Sequence, residues 1–217
     1  MPENVRQQQR SQALKLVILD RNGSINEHRD DFVKSDTEWT PLPGALEAIA
    51  RLNQAGWHVV IASNQSGLGR GLFDVASLNA MHAKMQKMLA TFGGRIDAIF
   101  YCPHSPEDDC DCRKPKPGLF KQIGERFGID LRGVPTVGDS LRDLQAGAAA
   151  GCEPHLLLTG VGAACRGVHP LPPEFPPGTQ VHEDLADFVR FLLAREAHAA
   201  PAPSAPAPVA PPAAPRV

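Results

Sequence analysis

The hydrophobic and polar positions of this chain follow two patterns that alternate along the sequence. Short apolar runs bounded by turn residues predict buried strands over 14–19, 57–62, 98–101, 136–138 and 155–158. Longer segments in which apolar residues recur every three or four positions predict helices over 43–54, 75–92, 119–127, 141–150 and 185–196. Strands that alternate with helices favour an α/β fold, in which a parallel sheet carries helices on both faces.

The two ends of the chain differ in composition from the segment between them. Residues 1–13 are polar, and residues 199–217 consist mainly of alanine and proline, with seven of the 21 prolines of the chain. A segment rich in proline and alanine cannot build a packed core, so we expect a disordered tail there. The segment 14–198 is long enough for one domain with a substantial core. We therefore expect a polar N-terminal extension, a single folded domain and a disordered tail.

Net charge and hydropathy exclude several classes of function. The chain has 22 Lys and Arg against 24 Asp and Glu, a formal charge of -2, so it lacks the basic excess that nucleic-acid binding requires. It also lacks an apolar run long enough to span a membrane, and its first thirteen residues contain no apolar segment of a secretory signal. We expect a cytoplasmic monomer that binds a small molecule rather than nucleic acid or a membrane.

Four residues with a carboxylate, hydroxyl or thiol side chain follow the predicted strands directly: Asp20, Ser63, Cys102 and Asp139. In parallel α/β sheets, ligands bind in the crevice outside the carboxyl ends of the strands. Any one of these residues could merely cap a turn, but their common placement predicts that they share one edge of the sheet. We therefore expect a binding or catalytic site at that edge.

The segments that follow the predicted strands contain groups that suit a phosphate and a divalent cation. Ser63–Gly67 offers hydroxyl, amide and backbone N–H donors at the mouth of a predicted helix. Arg113 and Lys114 add positive charge in a segment that contains two prolines. Asp139 and Asp143 add carboxylates after the fourth strand. Each signal is weak alone, and together they indicate phosphate chemistry.

One imidazole and three thiols lie within eleven residues of the chain, at Cys102, His104, Cys110 and Cys112. This is the ligand complement of a closed tetrahedral Zn²⁺ site. With four protein ligands no position is left for an activated water, so we expect the zinc to be structural and to order a short polar loop. Because the loop ends directly at Arg113, the zinc is expected to hold the neighbouring cations in place.

A carboxylate, a hydroxyl, a lysine and an acidic cluster on successive strands resemble the four motifs of the haloacid-dehalogenase superfamily of phosphohydrolases. The resemblance covers residues 14–160 and implies a Rossmann-like fold. It implies that Asp20 is the nucleophile and forms an aspartyl-phosphate, while Ser63 and Lys114 hold the transferring phosphoryl group.

The same resemblance implies catalytic Mg²⁺, which offsets charge between the nucleophile and the phosphoryl oxygens. Its expected ligands are the carboxylates of Asp20 and Asp139 and the backbone carbonyl of Asn22. Asp143 is expected to orient its neighbours rather than to bind the metal.

The zinc loop narrows the resemblance to a subgroup that contains heptose bisphosphate phosphatases and histidinol-phosphate phosphatases. The segment 64–71 (NQSGLGRG), which contains Arg70, is similar to the corresponding segment of the heptose enzymes. A second phosphate on the substrate gives arginines a bidentate partner. The resemblance thus implies hydrolysis of the C7 phosphate of a heptose 1,7-bisphosphate, in the supply of lipopolysaccharide precursors, with histidinol phosphate as the alternative substrate. The expected substrate-binding residues are Asn64, Gln65, Ser66, Arg70 and Arg113.

The sequence departs from the family pattern at residue 22. The family motif is Asp-x-Asp, and this chain reads Asp20-Arg21-Asn22. In the family the second aspartate protonates the leaving group and deprotonates the attacking water, and a neutral carboxamide can do neither. Three explanations stay open: a substitution introduced to trap an intermediate, a natural change with another group such as His28 as the acid, or a binding protein that has lost efficient turnover.

The connection between Asp20 and the first predicted helix is too short for a separate cap domain. Family members without a large cap choose their substrates through loops. The loops available here are 26–42, 66–74 and 102–112. We expect these three loops to shape the site.

Overall fold

The computed structural model describes residues 14–199, and its sheet has six parallel strands in the order β3-β2-β1-β4-β5-β6. The strands are β1 Leu16–Leu19, β2 His58–Asn64, β3 Ala98–Cys102, β4 Pro135–Gly138, β5 Glu153–Leu157 and β6 Gln180–His182. The two central strands, β1 and β4, are separated by more than 100 residues in sequence. Because the chain winds outward from them in opposite directions, a crevice opens between their carboxyl ends.

Helices cover both faces of this sheet, as predicted. They are α1 Ala45–Gln54, α2 Ser66–Gly69, α3 Val75–Ala90, α4 Gly118–Phe127, α5 Leu141–Ala149 and α6 Leu185–Ala199. Buried side chains of α1, α3 and α6 pack in one apolar cluster, and those of α4 and α5 pack in a second. The predicted α/β class is therefore confirmed.

Strand β1 shows how the two apolar clusters divide the sheet. Val17 and Leu19 belong to the cluster under α1, α3 and α6, whereas Leu16 and Ile18 belong to the cluster under α4. Side chains alternate between the faces of a strand, and all four of these are buried. A strand that is covered on both faces has a continuous run of apolar residues in its sequence, and such a run predicts β1.

The observed elements differ from the predicted ones in two respects that matter for the site. Strand β2 runs two residues further than predicted, to Asn64, because Ser63 and Asn64 pair with Tyr101 and Cys102 of β3. Ser63 and Cys102 thus lie at the ends of strands rather than after them. The short strand β6 and the four-residue helix α2 were not predicted, since three or four residues carry too little periodicity.

Residues 20–44 connect β1 to α1 and contain only isolated bridges, Asn22 with Asn26 and Asn26 with Pro41. This agrees with the expectation that no large cap is inserted there. No helix among residues 14–199 is both long and apolar enough to cross a membrane. The predicted extension over 1–13 lies outside the described residues, as does all of the predicted tail beyond Ala199, so both stay predictions.

Candidate active site

The carboxylates of Asp20 and Asp139 lie side by side at the carboxyl ends of the two central strands. Asp20 follows β1, and its backbone N–H donates to the carbonyl of Val137 in β4 at 2.8 Å, which extends the sheet by one step. Asp139 follows β4 directly. The two carboxylates, with that of Asp143, have oxygens within 4.8 Å of one another. The sequence prediction of a shared edge is thus matched by the geometry at these positions.

Lys114 brings one buried positive charge into the middle of this carboxylate cluster. Its Nζ lies 2.7 Å from Asp20 Oδ1 and 2.6 Å from Asp143 Oδ1, and it donates to the carbonyl of Ala62 at 2.6 Å. Only 2% of the residue is exposed. The two carboxylates raise the pKa of this lysine against the opposing effect of burial, so its ammonium stays charged. Lys114 therefore holds Asp20 in a single orientation.

Asp143 uses its two carboxylate oxygens for different tasks. Oδ2 accepts from the backbone N–H and the hydroxyl of Ser140, at 3.1 and 2.7 Å, and so caps the start of α5. Oδ1 is then left to pair with Lys114. Fixing one oxygen to a helix end fixes the direction of the other, as the predicted orienting role of Asp143 requires.

Two glycines make room for Asp139. Gly23 has φ +83° and Gly160 has φ +49°, and a Cβ at either position would collide with the Asp139 carboxylate. The carboxylate also accepts from the backbone N–H of Val161 at 2.9 Å. Burial, together with the charges of Asp20 and Asp143, raises the pKa of Asp139 to about 8. The backbone is thus shaped around a carboxylate whose charge no ion pair among residues 14–199 balances.

This imbalance fits a divalent cation. Burial is also the main reason why the pKa of Asp20 is raised, in spite of Lys114. Of the three buried carboxylates, only those of Asp20 and Asp143 contact the Lys114 ammonium, and oxygen donors of this kind suit Mg²⁺. Asp20 and Asp139 are the residues that fit the metal, since Asp143 is already engaged by Lys114 and Ser140.

The polar side chains at the end of β2 and directly after it mainly contact other residues of the protein. Asn64 Nδ2 donates to the carbonyl of Lys114, and Asn64 Oδ1 accepts from the Lys114 N–H, both at 3.1 Å. Gln65 Nε2 donates to Ser63 Oγ at 2.6 Å. Ser63 and Gln65 are buried. Sequence reasoning assigned Asn64 and Gln65 to the substrate; the structure shows that their side chains support Lys114 and Ser63, and substrate contact stays a prediction.

A cleft of about 370 Å³ opens over the carboxylate cluster. The carboxylate cluster, Asn22, Asn64, Ser66 and Lys114 line its floor and wall. The other lining residues are His28, Arg29, Asp30, Phe32, Arg70, Pro106, Arg113, Arg142 and Val161. All three predicted loops thus contribute to its wall. Sequence reasoning missed Arg29 and Arg142, because an arginine in a polar segment reads as an ordinary solvated side chain.

Arg70, Arg113 and Arg142 form a cationic rim on this cleft. Arg113 has a lowered pKa, first because it is partly buried and then because Arg142 and Arg70 carry like charges nearby. The guanidinium of Arg113 donates to the backbone carbonyl of His104 at 3.3 Å, and that of Arg70 lies over the Phe32 ring, 5.9 Å from its centre. Three like charges held together in this way favour a bound anion.

The thiols and the imidazole of the predicted zinc loop converge on one point. Cys102 Sγ lies 3.5 Å from both His104 Nδ1 and Cys110 Sγ, Cys112 Sγ lies 3.5 Å from Cys110 Sγ, and His104 Nδ1 lies 3.3 Å from Cys112 Sγ. Ligands arranged tetrahedrally around Zn²⁺ at 2.3 Å are about 3.8 Å apart. The four residues could therefore hold a metal ion, its identity as zinc stays a prediction, and Arg113 ties the loop to the cleft.

Asn22 lines the cleft next to Asp20. Its side-chain oxygen accepts from Arg21 Nε and from Asn26 Nδ2, both at 3.1 Å. His28, the suggested substitute acid, also lines the cleft, where its Nε2 lies 3.4 Å from Asp30 Oδ1. Its role as an acid stays a prediction.

Comparisons with known proteins agree with this geometry. Residues 3–151 match the model of a hydrolase family described as haloacid dehalogenase-like hydrolase. A Bordetella bronchiseptica protein named D-glycero-beta-D-manno-heptose-1,7-bisphosphate 7-phosphatase is 58% identical over 180 residues, which are 83% of this chain and 98% of that protein. A protein of the same name from Pseudomonas aeruginosa is 51% identical over 178 residues, covering 82% and 97%.

A solved structure extends the likeness to three dimensions. The D,D-heptose 1,7-bisphosphate phosphatase of B. bronchiseptica, crystallised with magnesium and phosphate, has a TM-score of 0.79 and 56% sequence identity to this chain. The alignment covers 84% of this chain and 99% of that one. Together with the matched family model and the carboxylate cluster, these likenesses show that the chain belongs to the haloacid dehalogenase-like hydrolase family.

Proposed function

We propose that this protein is a phosphatase that hydrolyses the C7 phosphate of D-glycero-D-manno-heptose 1,7-bisphosphate. The observation that carries the proposal is a single cleft in which a buried lysine and three carboxylates face three guanidinium groups. One half of the cleft suits a phosphoryl group and Mg²⁺, and the other suits a second phosphate. The names of the relatives at 58% and 51% identity support the choice of sugar.

Asp20 is the proposed nucleophile. Because Lys114 binds its Oδ1, the other oxygen is free to attack phosphorus. A bond forms between that oxygen and phosphorus, the bond from phosphorus to the C7 oxygen breaks, and the sugar leaves as an alkoxide that must gain a proton. Water then attacks the aspartyl-phosphate, loses a proton, and releases phosphate with the Asp20 carboxylate restored.

Asp20, Asp139 and the backbone carbonyl of Asn22 would hold Mg²⁺. The metal supplies positive charge to the phosphoryl oxygens. Lys114 holds Asp20 in place and, with Ser63, binds the transferring group, while Arg70, Arg113 and Arg142 bind the C1 phosphate. The zinc loop keeps Arg113 and Lys114 at their positions relative to the cleft.

Asn22 limits the rate in this mechanism. Its carboxamide has no proton to exchange near pH 7, so both proton transfers lack their acid and base. General acid–base catalysis typically contributes about 10²–10⁴-fold, and the turnover of this chain is expected to be lower by that factor. Binding of substrate and formation of the metal site do not depend on the missing proton.

The experiment compares phosphate release from heptose 1,7-bisphosphate and from histidinol phosphate for this chain and for Asn22→Asp. We expect Asn22→Asp to release phosphate from the heptose substrate at least about tenfold faster, because the acid is restored. Asn79→Asp is the matched control, since Asn79 is exposed on α3 and is not among the residues that line the cleft. It should leave the rate unchanged.

The other outcomes separate the alternatives. Equal and substantial rates for both proteins would show that another acid, such as His28, replaces residue 22. Faster release from histidinol phosphate would overturn the choice of sugar. Tight binding of heptose bisphosphate without release by either protein would identify a binding protein that no longer turns over.

We also propose that the protein acts as a cytoplasmic monomer, since the cleft is complete within one chain. Sedimentation at several protein concentrations tests the oligomeric state. A mass that doubles at micromolar concentration would overturn it.

A further inference from the structure

Arg21 carries a positive charge into the protein interior, where no carboxylate among residues 14–199 accepts a hydrogen bond from it. It is fully buried, at 0% exposure, and within the described residues it forms no ion pair with an acid. Its guanidinium instead meets three neutral acceptors: Asn22 Oδ1 and Gln65 Oε1 at 3.1 Å, and His82 Nε2 at 3.3 Å. Burial lowers the pKa of Arg21 to about 10, which leaves it charged at neutral pH. A buried charge is costly, and it persists only where its donors are satisfied.

The contact with Arg21 determines which way the Asn22 amide faces. Two donors, Arg21 Nε and Asn26 Nδ2, converge on one Asn22 atom at 3.1 Å each. Only a carbonyl oxygen can accept from both, so the assignment of oxygen and nitrogen is decided by the network. The NH₂ group then lies on the other edge of the amide, and Asn22 lines the cleft beside Asp20.

The second branch of the network reaches Ser63. Gln65 accepts from Arg21 with its oxygen, and its Nε2 donates to Ser63 Oγ at 2.6 Å. Because the Ser63 oxygen is already an acceptor in this contact, its hydroxyl proton is left to donate elsewhere. The third branch ends at His82 in α3, which is not among the residues that line the cleft.

We propose that Arg21 is a positioning residue that makes Asn22 and Ser63 hydrogen-bond donors toward the bound phosphoryl group. One buried guanidinium thereby aligns two neutral donors, the Asn22 amide and the Ser63 hydroxyl. Oriented donors stabilise negative charge that develops on oxygen without any proton transfer. Asn22 thus contributes to the site as a donor, although it cannot act as an acid.

The proposal rests on the proposed function only in naming a phosphoryl group as the acceptor. A binding experiment therefore tests it without any turnover. In ¹⁵N-labelled protein with Mg²⁺, inorganic phosphate is expected to shift the side-chain NH₂ signals of Asn22 and leave those of exposed Asn79 unchanged. The Arg21 Nε–H signal is expected to exchange with solvent at least about tenfold more slowly than that of exposed Arg126. If the chemical shifts of the Asn22 NH₂ signals do not change at saturating phosphate, the proposal is wrong.

Three variants of the network distinguish positioning from mere support of the fold. Gln65→Leu and His82→Leu each remove one acceptor of Arg21, but only Gln65 also contacts Ser63. We expect Gln65→Leu to lower kcat about 5–20-fold with KM within about twofold, and His82→Leu to change kcat by less than about twofold. Similar losses of kcat in both variants would show that Arg21 acts only through stability, and would overturn the proposal.

Arg21→Lys completes the test, because lysine keeps the charge but cannot reach three acceptors at once. We expect kcat to fall about tenfold in the parent chain and by clearly less when Asn22 is already alanine, since the two residues act as one unit. An equal loss in both backgrounds overturns the proposal. If no variant releases phosphate, the proposed function fails while the phosphate-induced shift of Asn22 still decides this inference.

Discussion

Residues 14–199 contain two clusters of side chains that could hold a metal ion, and they are built in opposite ways. The four residues of the zinc-type cluster come from one loop, 102–112, and only Cys102 is buried. The three carboxylates come from positions 20 and 139, directly after the two central strands, and from position 143 in α5, and all are buried. A cluster made by one short loop needs its metal to be ordered, whereas one made by strand ends is held by the sheet.

The clusters also differ in what they leave open. Four protein ligands saturate a tetrahedral zinc site, so the thiols have no position for substrate. The carboxylates of Asp20 and Asp139 face a cleft of about 370 Å³. Under the proposed function, the loop supplies geometry and the strand ends supply chemistry, and variants of either cluster test that division.

Asp20→Asn should abolish catalysis without touching the zinc cluster. Removing a nucleophile costs about 10⁴-fold or more in turnover, because no other group can form the covalent intermediate. Phosphate release measures this loss, and mass spectrometry should still find one zinc per chain. Asp130→Asn, at an exposed position paired with Arg132, is the control. Loss of zinc in Asp20→Asn would contradict the independence of the two clusters.

Cys110→Ser should damage both the loop and the cleft. With one thiolate missing, zinc binds weakly, the loop loses its order, and Arg113 and Lys114 move away from Asp20. Displacement of catalytic groups by about 1 Å can cost about 10²-fold in rate, which kinetics on the Asn22→Asp background would resolve. Cys165→Ser lies outside the cluster and should change nothing. Full activity of a zinc-free Cys110→Ser protein would mean that the loop does not support the site.

Asp143→Asn should weaken catalysis while both metals still bind. Residue 143 links Lys114 to the start of α5, and an amide keeps the oxygen acceptor but loses the ion pair. Loss of such an orienting partner typically costs about 10–100-fold in activity. The measurement is kcat together with Mg²⁺ affinity. A large loss of Mg²⁺ affinity would instead make Asp143 a direct ligand.

Lowering the pH should reduce the free energy of unfolding through a histidine pair that belongs to neither cluster. His155 Nδ1 lies 2.9 Å from His182 Nε2 in the interior, with Glu153, Asp187 and Arg195 as the charged groups around them. Burial lowers the pKa of both imidazoles, that of His155 to about 3. The unfolded chain therefore binds more protons below pH 6.5, and stability falls as pH falls from there toward 3.

Denaturant unfolding of this protein and of His155→Gln, each at pH 7.5 and at pH 5, measures this effect. We expect a loss of roughly 1–2 kcal/mol at pH 5 that shrinks in His155→Gln, with zinc still bound at both values. An unchanged pH dependence in that variant would assign the acid sensitivity to the metal clusters instead.

Most of the fold and part of the site could be predicted from sequence. Apolar runs marked five of the six strands, because residues such as Val17 and Ile18 are buried on both faces of the sheet. Asp20 and Asp139 could be placed together because parallel strands end at a common edge. Strand β6 could not be predicted, since its three residues pair with β5 only after the chain has folded.

Arg21 and Arg142 show where sequence reasoning stops. Neither position has a sequence pattern that predicts its environment, yet Arg21 is fully buried and Arg142 lines the cleft. Their environments depend on Gln65, His82 and Arg113, which lie far away along the chain. Local pattern carries no information about such partners, so exposure could not be inferred.

By itself, the sequence determined the spacing of the three cysteines and the histidine of the loop, the alternation of strands and helices, and the amide at residue 22. These are properties of neighbouring residues, and chain connectivity alone sets them. Only the tertiary structure decided that Asn64 and Gln65 support Lys114 and Ser63, and that Lys114 pairs with Asp20 across 94 positions. Such pairings depend on burial and on the register of distant strands. Only packing excludes water from the charged groups and fixes which of their atoms are in contact.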